Sequence, residues 1–172
     1  MKKLILFTIG LFGFVGFAFC QNYTIYQNNS YGLPQQTGTY QQNNSGGYDF
    51  YNNNSYGLPQ KTGYSTTNSY SGSTDFYNYN SYGLPQKTGY TQQSSYSNST
   101  DIYNYNSYGL PQKTGSIQQN SYGSYDIYQN NSYGLPQKTG EVKENSFGGY
   151  DIYKINQYGL PQKTTTISPK TW

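Results

Sequence analysis

Hydrophobic and polar positions divide this chain into two unlike parts. Residues 4–17 are apolar apart from Thr8 and small glycines, whereas the chain from Gln21 onward carries its apolar side chains singly, in short alternating strings. The string 125–129 is representative: Tyr125 and Ile127 fall on one face, Asp126 and Tyr128 on the other. A period of two over β-forming residues predicts a half-buried strand. Asn130, Asn131, Ser132, Tyr133 and Gly134 follow, and this is turn chemistry, because Asn and Gly tolerate positive φ. A second strand is predicted from Leu135 to about Val142, and its counterpart in the preceding unit ends near Ile117. The density of Gly, Pro, Asn and Tyr disfavours helix.

This pattern recurs six times. The glycine of the motif Ser-Tyr-Gly-Leu-Pro-Gln-Lys-Thr-Gly falls at Gly32, Gly57, Gly83, Gly109, Gly134 and Gly159, in steps of 25, 26, 26, 25 and 25 residues. A fixed period of this size marks a repeat architecture rather than one enzyme-like core. The units span approximately 21–46, 47–72, 73–98, 99–123, 124–148 and 149–172. Each has room for two short strands and two turns, the size of one hairpin. The expected fold is therefore all-β, a solenoid or ring of six hairpin-like units, with partial disorder of the isolated chain left open. The motif proline cannot donate to a ladder, which places it at a strand start, an edge or a bulge. The one-residue length changes lie between the motif glycine and the next Asp, so that segment reads as the connection between repeats.

One charge pattern follows the repeat. Asp49, Asp75, Asp101, Asp126 and Asp151 are each followed twelve residues later by Lys61, Lys87, Lys113, Lys138 and Lys163. The first unit has Thr24 and Gln36 at these places, so both charges vanish together. In a hairpin turning near Ser55, Asp49 and Lys61 lie opposite each other, and such pairs would set the strand register. Simple copying of one unit explains the spacing equally well. Stacked in register, the units would also align like charges in columns, at a cost in repulsion.

Composition narrows the chemistry. Histidine and arginine are absent and Cys20 is the only cysteine. A chain beginning at Gln21 thus has no disulfide, no thiolate nucleophile and no His or Cys zinc ligand. Without Lys2 and Lys3 it has eight lysines against seven acids, a net charge of +1, which is no basic footprint for nucleic acid. Leu, Ile, Val and Phe supply 17 of its 152 residues, well under the roughly 20% at which a conventional core becomes doubtful. Tyrosine, with 24 copies, takes over as filler of the strand faces, although its hydroxyl still needs a partner. One Asp per repeat is too thin a ligand set for calcium. The paired acids of a glycosidase are missing within any unit, and Glu141 and Glu144 read with Lys143 as a solvated loop. The expectation is no enzyme, no cofactor and no metal.

The first twenty residues have the layout of a secretory signal peptide: a Lys2-Lys3 start, a short apolar run, then Ala18, Phe19 and Cys20 before Gln21. Cleavage after Cys20 is expected, with lipid anchoring through Cys20 as the alternative. A secreted chain of short glycine-containing repeats rich in Asn and Gln resembles the curlin-type proteins, the subunits of bacterial surface fibres. That resemblance is compositional, spans the whole chain after residue 20, and implies self-association. Curlin repeats carry Gly-x-Gly-Asn turns where this chain has Tyr-Gly-Leu-Pro-Gln-Lys-Thr-Gly, with a proline in every unit. The functional expectation is a structural or adhesive protein of the cell surface or extracellular matrix, acting through multivalent weak contacts. A soluble carbohydrate- or ligand-binding module and a chain that folds on a partner are the alternatives.

Overall fold

The computed structural model describes residues 22–95 and 97–170; the expected leader and its cleavage site at Cys20 and Gln21 lie outside them. Twelve strands follow one another: β1 (Asn22–Asn28), β2 (Pro34–Gln42), β3 (Tyr48–Asn53), β4 (Pro59–Thr67), β5 (Thr74–Tyr79), β6 (Pro85–Gln93), β7 (Ser99–Tyr105), β8 (Pro111–Gln119), β9 (Tyr125–Asn130), β10 (Pro136–Glu144), β11 (Tyr150–Ile155) and β12 (Pro161–Pro169). Every motif proline opens a strand, where its missing N–H costs no ladder bond. Each strand pairs antiparallel with its sequence neighbours, and β12 returns to pair with β1, closing a barrel. This corrects the expectation of an open solenoid or a ring of separate hairpins: the sheet is continuous and closure leaves no strand edge unpaired.

Curvature comes from one bulge per hairpin. The register passes over Thr37, Thr62, Thr88, Thr114, Thr139 and Thr164 in turn. An unpaired extra residue bends its strand and sharpens the local twist, which is how sheets are made to close. At four bulges the threonine hydroxyl donates to the carbonyl of the facing core residue: Thr62 to Phe50, Thr88 to Phe76, Thr114 to Ile102 and Thr164 to Ile152. The residue after the bulge is Gly38, Gly63, Gly89, Gly115 or Gly140, and a Cβ there would collide with a carbonyl oxygen of the next strand, as Gly89 would with Tyr103 O. Only the sixth unit has a side chain at this position, Thr165.

The core is a lining of the inner face. Ile25, Phe50, Phe76, Ile102, Ile127 and Ile152, one from each unit, are buried on the odd-numbered strands. The even-numbered strands add Tyr40, Ser65, Thr91, Ile117, Val142 and Ile167. Size compensates across strands. Small Ser65 sits on β4 between Phe50 and Phe76, whose rings come within 6.5 Å over it, while Tyr40 stacks on Tyr23 at 4.7 Å. Two inward-facing positions per unit, multiplied by closure, thus make a continuous core from a sequence poor in aliphatic residues.

Candidate interaction rim

The turn inside each hairpin is built by its asparagine. Asn29 Oδ1 accepts from the Tyr31 and Leu33 amides at 2.9 and 3.0 Å, and its carbonyl accepts from Gly32 N at 3.0 Å. The same bonds recur around Asn54, Asn80, Asn106, Asn131 and Asn156. Gly32 has φ +76°, the left-handed residue that closes a type I turn in a hairpin. The asparagine side chain takes up amides of its own turn, and the tyrosine and leucine side chains lie outside. The six tyrosines Tyr31, Tyr56, Tyr82, Tyr108, Tyr133 and Tyr158 are 77–87% exposed, and the leucines that follow their glycines are 61–62% exposed.

Topology gathers these turns. In an antiparallel barrel every connection from an odd to an even strand lies at one end. The six Tyr-Gly-Leu-Pro turns therefore crown a single rim, and none of their residues is charged. Single exposed apolar residues are ordinary, but a dozen gathered at one end make this rim the candidate interaction surface. The expectation that tyrosine fills strand faces holds for Tyr23, Tyr40 and Tyr150, which are buried, and fails for the six motif tyrosines.

The opposite end reuses the same device, which the sequence reading missed. Asn43, Asn120 and Asn145 each accept two amides of their own turns, and Gly46, Gly123 and Gly148 have positive φ. The signal was present as Asn-x-Ser-Gly or Asn-Ser-aromatic-Gly at 43–46, 120–123 and 145–148. Turns 68–73 and 94–99 are one residue longer and produce the two 26-residue steps. Among the described residues Tyr70, Tyr122 and Phe147 are exposed at this end.

The barrel wall carries the ion pairs. Lys61–Asp49, Lys87–Asp75, Lys113–Asp101, Lys138–Asp126 and Lys163–Asp151 stand at 2.7–3.0 Å. They are diagonal, not directly opposite: Asp49 faces Tyr64 and Lys61 faces Tyr51, because the turn centres on Tyr56 rather than Ser55 and the bulge at Thr62 adds one residue more. The aspartates lie on alternate strands, so they do not stack on one another at strand spacing; where Glu141 faces Asp126, Lys138 and Lys143 neutralise the pair. Beside them Tyr64 stacks on Tyr77 and Tyr90 on Tyr103, at 4.8 and 4.7 Å. Lys87 bridges toward the second stack, 5.4 Å from the Tyr90 ring and 5.9 Å from that of Tyr105.

Exposed pairs of this kind contribute about 0.2–1 kcal/mol each. Exchanging Asp126 and Lys138 with each other is expected to leave the urea midpoint nearly unchanged, while either single charge reversal lowers it. A swap as damaging as the reversals would remove the register role.

Alkaline pH is expected to weaken the barrel. Burial, aided by Glu144 and Tyr125, pushes the Tyr150 phenol up to about 12. A folded value above the unfolded one, about 10 for tyrosine, means that the stabilisation is complete below about pH 10 and is lost as pH rises through 12. The hydrogen bond from Lys138 to Asp126 also raises that lysine, adding loss in the same direction above its unfolded value. At about 1.4 kcal/mol per unit, Tyr150 alone accounts for on the order of 2–3 kcal/mol. Denaturation midpoints from pH 9 to 12 should fall less steeply in Tyr150→Phe; an unchanged slope would rule out this assignment.

Comparison with protein families, with curated proteins and with solved structures found no match to this chain. No helix among the described residues is long and apolar enough to cross a membrane.

Proposed function

We propose that this is a secreted structural or adhesive protein of the cell surface or extracellular matrix, a β-barrel that adheres through its tyrosine rim. The observation that carries this reading is six chemically near-identical, rigidly held Tyr-Gly-Leu-Pro turns presented at one end. One shallow turn of this size binds weakly, but six held on one body engage a repetitive surface together, and avidity multiplies a weak contact without new chemistry. The asparagine clamps fix the turns beforehand, so little ordering entropy is lost on contact.

The character of the rim suggests the surface. It has aromatic rings, aliphatic side chains and amides but no charge, which suits neutral partners: polysaccharide or further copies of the chain. The wall has the reverse of a membrane barrel's pattern, with apolar residues inside and ion pairs outside. Secretion rests on the leader-like residues 1–20. No constellation of catalytic groups emerges among the described residues, and the reading is of a non-enzymatic protein without cofactor. The test is retention of residues 21–172 on insoluble cellulose and on immobilised copies, compared with a chain lacking all six rim tyrosines. Equal retention of the two chains would overturn it.

A further inference from the structure

Three departures from the repeat converge on one element. The hairpin β1–β2 contains no charged residue, since Thr24 and Gln36 stand where the other five units have Asp and Lys. The joint that closes the barrel, β12 against β1, is the one inter-repeat joint with no connecting turn. It is also where Thr165 replaces the glycine that elsewhere admits the neighbouring backbone, and Thr165 pairs with Gln27 across it.

The closing joint is otherwise a copy of the joints inside the chain. Ile167 faces Ile25 and Thr166 faces Tyr26, as Tyr40 faces Phe50 and Thr39 faces Tyr51 between β2 and β3. Asn28 Nδ2 donates to Lys163 O across the seam, as Asn53 Nδ2 does to Gln36 O. Nothing in this register distinguishes the chain's own β1 from that of another copy. On its other side the hairpin continues into turn 43–47, which ends in Gly46, at φ +69°, and Gly47. A strand free of charge and proline, such as β1, also lacks the residues that keep edges from pairing with other chains.

We propose that the first hairpin is exchangeable: β1–β2 of one copy swings out about turn 43–47 and inserts between β12 and β3 of a second copy. Every strand pair broken within one barrel is remade in the next, which makes exchange a low-cost route to association. Reciprocal exchange yields a dimer. One-way exchange passes the vacancy along and yields a growing chain of intact barrels. The partner is a second copy of this protein, and the inference rests on the self-association included in the function proposed above.

The experiment locks the seam. Thr24 and Ser168 are direct cross-strand partners on the outer face, at a spacing a disulfide can span. Residues 21–172 hold every strand of the barrel and no cysteine, so Thr24→Cys/Ser168→Cys forms a single defined bridge. Tyr26→Cys/Thr166→Cys, another paired position, serves as the second lock. After prolonged incubation at high concentration, sedimentation velocity of the reduced protein is expected to show dimers and larger species. Both forms are compared in a chain that also lacks the six rim tyrosines, so that rim contacts do not contribute. There the oxidised protein is expected to remain a monomer at every concentration. Association of the oxidised form to the same extent, or monomers alone in both forms, overturns the exchange. Retention of the oxidised form on cellulose is measured alongside. Retention that depends on the rim tyrosines leaves the adhesive reading standing even if exchange fails, and its loss condemns that reading separately.

Discussion

Removing the rim tyrosines one after another, as Tyr31→Ser, Tyr56→Ser, Tyr82→Ser and so on through Tyr158, will reduce retention on a repetitive surface far more steeply than in proportion. The first replacement leaves five turns engaged and costs little. Each later one removes a contact from a set whose strength is multiplicative, so the complete set should lose about 10²–10⁴ in apparent affinity. The fold should not notice. These rings are at least 77% exposed, and surface changes of this kind stay within about 0.5 kcal/mol per site. Retention is read on cellulose and immobilised copies, and stability by urea denaturation of the same proteins. A linear decline would mean independent weak sites. No decline would move the adhesive surface elsewhere on the barrel.

The largest loss of stability is expected from one methyl group. In Gly89→Ala the new Cβ meets the Tyr103 carbonyl, a backbone atom that no rotamer change can move aside. Either β6 and β7 separate or the bulge at Thr88 relaxes, and both disturb the curvature that closes the barrel. Overpacking of this kind costs about 1–3 kcal/mol, and the rigidity of a closed sheet argues for the upper part of that range. Gly32→Ala provides the contrast. Nothing lies within 4 Å of its Cβ position, and the penalty there is only the left-handed backbone, about 1–2 kcal/mol. Urea midpoints of the two variants should therefore differ, with Gly89→Ala lower; the opposite order would show that the joints between repeats yield more readily than the turns.

Much of one unit could be read from its residues. The alternation at Tyr125, Asp126, Ile127 and Tyr128 gave the strand and its faces, because period two is a local property. The simultaneous loss of Asp and Lys from the first unit pointed to their proximity, and Lys138 does lie 2.9 Å from Asp126. What escaped was anything set at long range. Closure depends on Ile25 meeting Ile167 across the whole chain, and on bulges whose only trace is a Thr-Gly step that reads as ordinary strand. The rim escaped for a different reason. Composition alone assigns tyrosine to filling a weak core, and only the folded turn, clamped by Asn131, shows the Tyr133 ring outside it.

The alternation of strand direction sets the shape of any layer these molecules build. A barrel held by the ends of its hairpins stands on the surface with its axis upright. Its height is then fixed by a strand of nine residues, at most about 30 Å at 3.3 Å per residue, and no added repeat can raise it. Extra units would widen the footprint and add feet instead. On the adhesive reading proposed above, chain length governs grip, while the thickness of the coat stays constant.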